Sequence, residues 1–167
     1  MTSQPHPLAF GAVQMPIYQG DPATGMHILA VSFTVAGRLP DGRSFRVTIA
    51  RGFAFDGCSI PRFLWRLCGH PMEIPRVAAA IAHDWLYAAH VCDRVLADQI
   101  YRAICLAVKM SKARATIEYD ALRLFGSSAW KSHGVADQTS ARALGHLVLD
   151  GSVVVPTITT TTEPRKV

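Results

Sequence analysis

The sequence predicts an α+β fold: an N-terminal antiparallel β-hairpin or small sheet packed on a bundle of three to four helices, with a flexible C-terminal tail. Three observations lead there. Two β-branched segments are separated by turn residues, several helix-length apolar stretches carry caps or stops, and the end is rich in Thr and Pro. At 167 residues, half of them hydrophobic, the chain has apolar material for one core but not for two. The expected division is an arm over 1–27, a single α+β domain over 28–150 and a Thr-rich extended tail over 151–167.

The arm is punctuated by Pro and Gly, with room for one short strand. After it, His27 to Gly37 and Arg43 to Ala50 read as two strands, and Leu39-Pro40-Asp41-Gly42 between them supplies the turn. Phe45, Val47 and Ile49 alternate with Ser44, Arg46 and Thr48, which predicts one packed and one wetter face. Gly52 to Pro61 then breaks the periodicity, and Pro61 can open a short helix over Arg62 to Cys68. Helices are expected from about Pro75 to Ala89, from Asp93 to Val108 and from Ser111 or Lys112 to Phe125, with Ser111 as N-cap and Gly126 as a stop. Beyond Trp130 the pattern weakens, and Thr139 to Val148 reads as a diluted fifth helix.

The formal charge is +5, but the basic residues are scattered. Such mild basicity favours acidic surfaces in general; without a basic stripe interleaved with aromatics, nucleic acid is not the expected partner. No run reaches the roughly 18 apolar residues of a membrane span, and the first residues lack the features of a signal peptide. Synthesis in the cytosol follows as the expectation. Cys58, Cys68, Cys92 and Cys105 form no Cys-x-x-Cys pair and read as free thiols, a zinc site of Cys68 with His70 being the less economical option.

The chemistry concentrates in Ala82-His83-Asp84-Trp85-Leu86-Tyr87 and Ala97-Asp98, on two successive helices. His83 and Tyr87 are four apart and share a helix face, whereas Asp84 is turned by about 100° and must serve a different partner. If the second helix returns antiparallel, Asp98 comes near the His83 ring and orients it as a general base. Asp84, together with Asp56 and carbonyls of the Gly52 to Gly57 loop, could hold a hard cation such as calcium. The alternative is a buried hydrogen-bond network that sets helix register, with Asp56 bracing its loop. Ser59 lacks the Gly-x-Ser-x-Gly elbow of an acyl nucleophile and reads as a cap. His70, His90 and His133 fall near helix ends, where the dipole explains them, and the three Trp read as packing residues.

With Gly52-Phe53-x-x-Asp56-Gly57-x-Ser59-Ile60-Pro61-Arg62-Phe63, His83-Asp84-x-Leu86-Tyr87, Ala97-Asp98 and Leu122-Arg123-Leu124-Phe125-Gly126, the chain resembles the domain of unknown function 1353 family, found in phages and prophages. Cys58 stands where a small Ala is usual, and Trp85 where Tyr is more common. The resemblance implies a phage-encoded protein made in the host cytoplasm and carried in the virion, with other phage proteins or a cell-envelope component as partners. A more local resemblance, His83-Asp84-x-x-Tyr87 and Ala97-Asp98, is to secreted and parvoviral-capsid phospholipases. It implies His83 as general base, Asp84 as calcium ligand, and Tyr87 and Asp98 as support, although Phe53 and Phe55 make the loop a loose analogue of a glycine-rich calcium loop. The functions that follow are a His-Asp hydrolase acting on envelope esters or amides or, alternatively, a non-catalytic tail or tail-tip component.

Overall fold

The architecture was read from a computed structural model that describes residues 13, 15–56 and 74–156. The expected helix over 62–68, Cys58, Ser59, Trp65, Cys68, His70 and the end of the tail from 157 lie outside the described residues, as does most of the arm.

Among those residues the elements run β1 (Tyr18–Gly20), β2 (His27–Leu29), β3 (Phe33–Arg38), β4 (Ser44–Ile49), β5 (Ala54–Phe55), α1 (Ile74–Ala89), α2 (Arg94–Ala107), α3 (Lys112–Phe125), α4 (Ser127–Ser132), α5 (Val135–Ala143), β6 (Gly145–Leu149) and β7 (Ser152–Val153). The fold class is α+β, as the sequence predicts. Two antiparallel sheets form, with strand orders β1-β2-β5 and β3-β4-β6-β7.

The predicted hairpin is β3-β4, in register from Phe33 opposite Ile49 to Arg38 opposite Ser44. Its turn closes through Gly42 N–H donating to the Leu39 carbonyl, with Gly42 at φ +90°, a backbone that a side chain would strain. Phe45, Val47 and Ile49 are buried, and Arg46 on the opposite face is exposed. The first expected strand, however, is two: the chain breaks after Leu29, and β2 joins β1 and β5 in the second sheet. Leu29 N–H donates to the Phe53 carbonyl, and Gly52 N–H to that of Leu29, so the loop after β4 captures β2.

A second correction concerns Thr139 to Val148. The helix ends at Ala143, and Gly145–Leu149 crosses back to pair with β4 as an inner strand, Leu147 opposite Val47. Gly145 is required there because an added Cβ would lie 2.5 Å from the Thr48 carbonyl oxygen and 2.8 Å from the Trp85 ring. The first residues of the Thr-rich end continue the sheet: β7 pairs with β6.

α1 is apolar except at Arg76, His83 and Asp84, and Val77 to Ala82 are all buried, as a helix through the middle of a core must be. α2 and α3 flank it. Asp93 caps α2 by accepting from Leu96 N–H, and Ser111 caps α3 by accepting from Arg114 N–H. The Trp85 indole donates to the Ala141 carbonyl at 2.8 Å, tying α1 to α5.

Candidate functional site

Asp98 is the focus. His83 Nε2 lies 2.9 Å from Asp98 Oδ1, the Tyr87 hydroxyl donates to the same oxygen at 2.7 Å, and Arg123 Nη1 donates to Oδ2 at 2.7 Å. Arg94 Nη1 stands 3.7 Å from Oδ2 and donates to the Leu122 carbonyl. α1, α2 and α3 thus meet at one carboxylate. The i,i+4 spacing of His83 and Tyr87 brings both to it, and the antiparallel return of α2 brings Asp98 to them.

Burial alone would push the Asp98 carboxyl up, but the hydrogen bonds from His83, Tyr87 and Arg123 outweigh it, and its pKa is lowered. Burial lowers His83, although Asp98 pulls it back in part, so the imidazole is neutral at pH 7. Burial, followed by the hydrogen bond to Asp98, raises the Tyr87 phenol well above its ordinary range. An ionised carboxylate can only accept, so His83 carries its hydrogen on Nε2. Nδ1 is then a bare lone pair. It is buried and has no hydrogen-bond partner among the described residues.

The ring of His83 is enclosed by Tyr87, with centroids 4.0 Å apart, and by Tyr101, edge-on at 5.3 Å. His83 and Asp98 are both 0% exposed. Tyr87 links them to a cavity of about 230 Å³, whose wall also includes Asp84, Asp56, Phe53 and His133. Asp84 therefore faces away from the dyad, as its helical angle predicts, and toward the loop that bears Asp56.

Two carboxylates on one wall are hard donors of the kind calcium takes, but calcium takes about six to eight oxygens. Among the described residues no three His, Cys, Asp or Glu side chains come together to hold a metal. The described residues thus bring the two predicted cation ligands, Asp84 and Asp56, to one wall, and the loop from Gly57 on lies outside them.

A second buried carboxylate escaped the sequence reading. Glu118 accepts from the Tyr101 hydroxyl at 2.6 Å and from Arg114 at 3.1 Å, and pairs with the buried Arg76 at 3.0 Å. The Arg114 to Glu118 spacing of four was a legible signal; Arg76, 42 positions before Glu118, gave none. Arg123 and Gly126 acquire roles too. An added Cβ on Gly126 would lie 2.6 Å from the Tyr87 hydroxyl, so only glycine lets the end of α3 approach.

His90 follows the last residue of α1, at a helix end as expected. It stands at φ +48°, stacks on Trp130 at 3.9 Å with 5° between planes, and its Nε2 meets the Trp130 carbonyl oxygen at 3.0 Å. Cys105 is buried, and Cys92 is a free thiol, pushed up to about 12 by burial and the nearby Asp93 and Asp98 charges.

The sequence pattern of the family described as "Protein of unknown function (DUF1353)" matches residues 35–122, more than half of the chain. The chain belongs to the DUF1353 family. The matched span of this DUF1353 protein runs from within β3 through β4, β5, α1 and α2 into α3, hence over His83, Tyr87 and Asp98, but stops just before Arg123. No curated protein and no solved structure matches the chain. None of the described helices is long and apolar enough to cross a membrane.

Proposed function

We propose that this DUF1353 protein is a phage-encoded, virion-associated hydrolase of cell-envelope esters or amides, with His83 as general base. The unpartnered Nδ1 of His83 carries the reading. In a purely architectural network each buried polar atom should be satisfied, because an orphan costs about 1–3 kcal/mol. Asp98 accepts on both oxygens and Glu118 on both of its own, yet among the described residues nothing bonds the second ring nitrogen of His83. A neutral imidazole whose tautomer is fixed by a carboxylate is the form that can take a proton from water.

In the proposed step, Nδ1 takes a proton from a water molecule as its oxygen attacks the substrate carbonyl carbon. The imidazolium that forms is stabilised by Asp98, which Tyr87 and Arg123 keep ionised and in place. The same proton then passes to the departing alcohol or amine as its bond to the acyl carbon breaks. Tyr87 touches Asp98 on one side and lines the Asp84 and Asp56 cavity on the other, so it stands between the buried dyad and that cavity. The His83-Asp84-x-x-Tyr87 and Ala97-Asp98 resemblance to phospholipases supports an acyl ester as substrate.

The complete burial of His83 and Asp98 favours a second reading. In it the protein is a non-catalytic component of the phage particle, such as a tail or tail-tip protein, and the network sets the register of α1, α2 and α3. Release of fatty acid from vesicles of phosphatidylethanolamine and phosphatidylglycerol, and of amine from purified peptidoglycan, separates the two. The hydrolase reading expects turnover by the wild type and a loss of about 100-fold or more in His83→Asn, the scale of a general base. Tyr87→Phe, which removes one hydroxyl, should keep part of the rate. No turnover by a folded wild type on either substrate would leave the structural component.

A further inference from the structure

On another part of the molecule, the β3-β4 turn, α2 and α3 enclose a groove of about 590 Å³. Arg38 comes from the end of β3, Arg102 from the middle of α2 and Lys112 from the start of α3, and among the described residues no Asp or Glu lines the space. Leu39, Leu106 and Tyr119 supply the apolar wall. The volume lies within the roughly 300–1,000 Å³ of small-molecule sites, too confined for a macromolecular surface.

Arg102 is the built element. Its Nη2 donates to Thr116 at 3.0 Å, and its guanidinium carbon stands 5.8 Å from the centre of the Tyr119 ring. Its Nε–H, by contrast, is buried with no acceptor among the described residues. A guanidinium immobilised by a hydroxyl and a ring, and left with a donor to spare, is prepared for an anion rather than solvated as a surface charge. Arg38 and Lys112 are exposed and can close on the same anion.

We infer that this groove binds a small phosphorylated ligand, its phosphate held by Arg102, Arg38 and Lys112 and its apolar body laid against Leu39, Leu106 and Tyr119. Three cations on one groove suit a dianion. The site is separate from the His83-Asp98 centre and stands whether or not that centre is catalytic. A phosphate on an aromatic ring and a phosphate on an alkyl chain would both use it, as a nucleotide-like or a lipid-like ligand respectively.

Calorimetric titration of the full chain with inorganic phosphate, phenyl phosphate and octyl phosphate tests the inference. One of the two organic phosphates should bind with 1:1 stoichiometry and at least tenfold more tightly than inorganic phosphate; phenyl identifies a ring, octyl a chain. Arg102→Gln and Lys112→Gln should each weaken that binding by tenfold or more, whereas Arg46→Gln, on β4 outside the groove, should leave it unchanged. Lys112 is exposed, so its variant keeps the test valid if Arg102→Gln fails to fold. Absence of saturable binding of both organic phosphates at millimolar concentration, or equal affinity in wild type and Lys112→Gln, would overturn the inference.

Discussion

Asp98 receives donors from His83 and Tyr87 on α1 and from Arg123 on α3, so its charge is shared among three elements while it is itself sealed from water. Removing it leaves two arginines facing a carboxylate that is gone. Asp98→Ala should cost about 3–5 kcal/mol, the scale for breaking a buried charge pair, measured as a fall in the urea midpoint at pH 7.5. The pH dependence follows from the directions of the shifts. The folded state lowers the His83 pKa, so the unfolded chain takes the proton first. Stability from this residue is full above about pH 6.5 and drains away as pH falls toward the lower folded value. Asp98 is also lowered, so its contribution persists further, being lost only below its unfolded value near pH 4 as pH falls through the folded one. Urea midpoints between pH 7.5 and 5 should therefore drop in the wild type. The drop should be shallower in His83→Gln, where His90, also lowered by burial, still contributes. An identical slope in both proteins would contradict the assignment.

At the scale of elements, the crossing of α1 and α3 depends on a glycine. Gly126→Ala would drive a methyl against the Tyr87 hydroxyl and the Leu122 carbonyl, both 2.6 Å from the ideal Cβ position. An overpacking cost of about 1–3 kcal/mol is expected, read as a lowered melting temperature. The same substitution at the open Gly25 meets no atom within 4 Å, but the positive φ there makes it a control for backbone strain alone. Gly126 was legible as a helix stop, yet its φ of −71° shows that the reason is proximity rather than a left-handed cap. Helical spacing made the His83, Tyr87 and Asp98 contacts legible because all three rest on i,i+4 geometry and one antiparallel turn. It also made legible the separate heading of Asp84. The break of the first strand at Leu29 was not legible, because its cause is the Phe53 carbonyl and the Gly52 amide, 24 and 23 residues further on. Likewise Gly145–Leu149 carries too few β-branched residues to declare a strand. Pairing with β4 decides it, a tertiary override of local propensity.

For the whole molecule, the family pattern and the folded unit are not the same length of chain. Residues 35–122 omit Arg123, α5 and β6, so they lack a donor to Asp98, the Ala141 carbonyl that accepts from Trp85, and the fully buried Leu147. Without β6, β4 becomes an edge strand with a row of unpaired backbone groups. A fragment of residues 35–122 should show no cooperative thermal transition by circular dichroism, whereas the full chain should melt in one. A cooperative melt of the fragment would mean that the second crossing of the chain is an accessory.

Catalysis at this centre requires a neutral His83 protonated at Nε2 and bare at Nδ1. Imidazole ¹⁵N chemical shifts of the full chain labelled at histidine, with His83 assigned by difference from His83→Gln, measure this directly. At pH 7 one His83 nitrogen should be of the N–H type, coupled to the ring positions that flank Nε2, and one should have the shift of a bare, unprotonated Nδ1. An imidazolium, or the opposite tautomer with hydrogen on Nδ1, would contradict it.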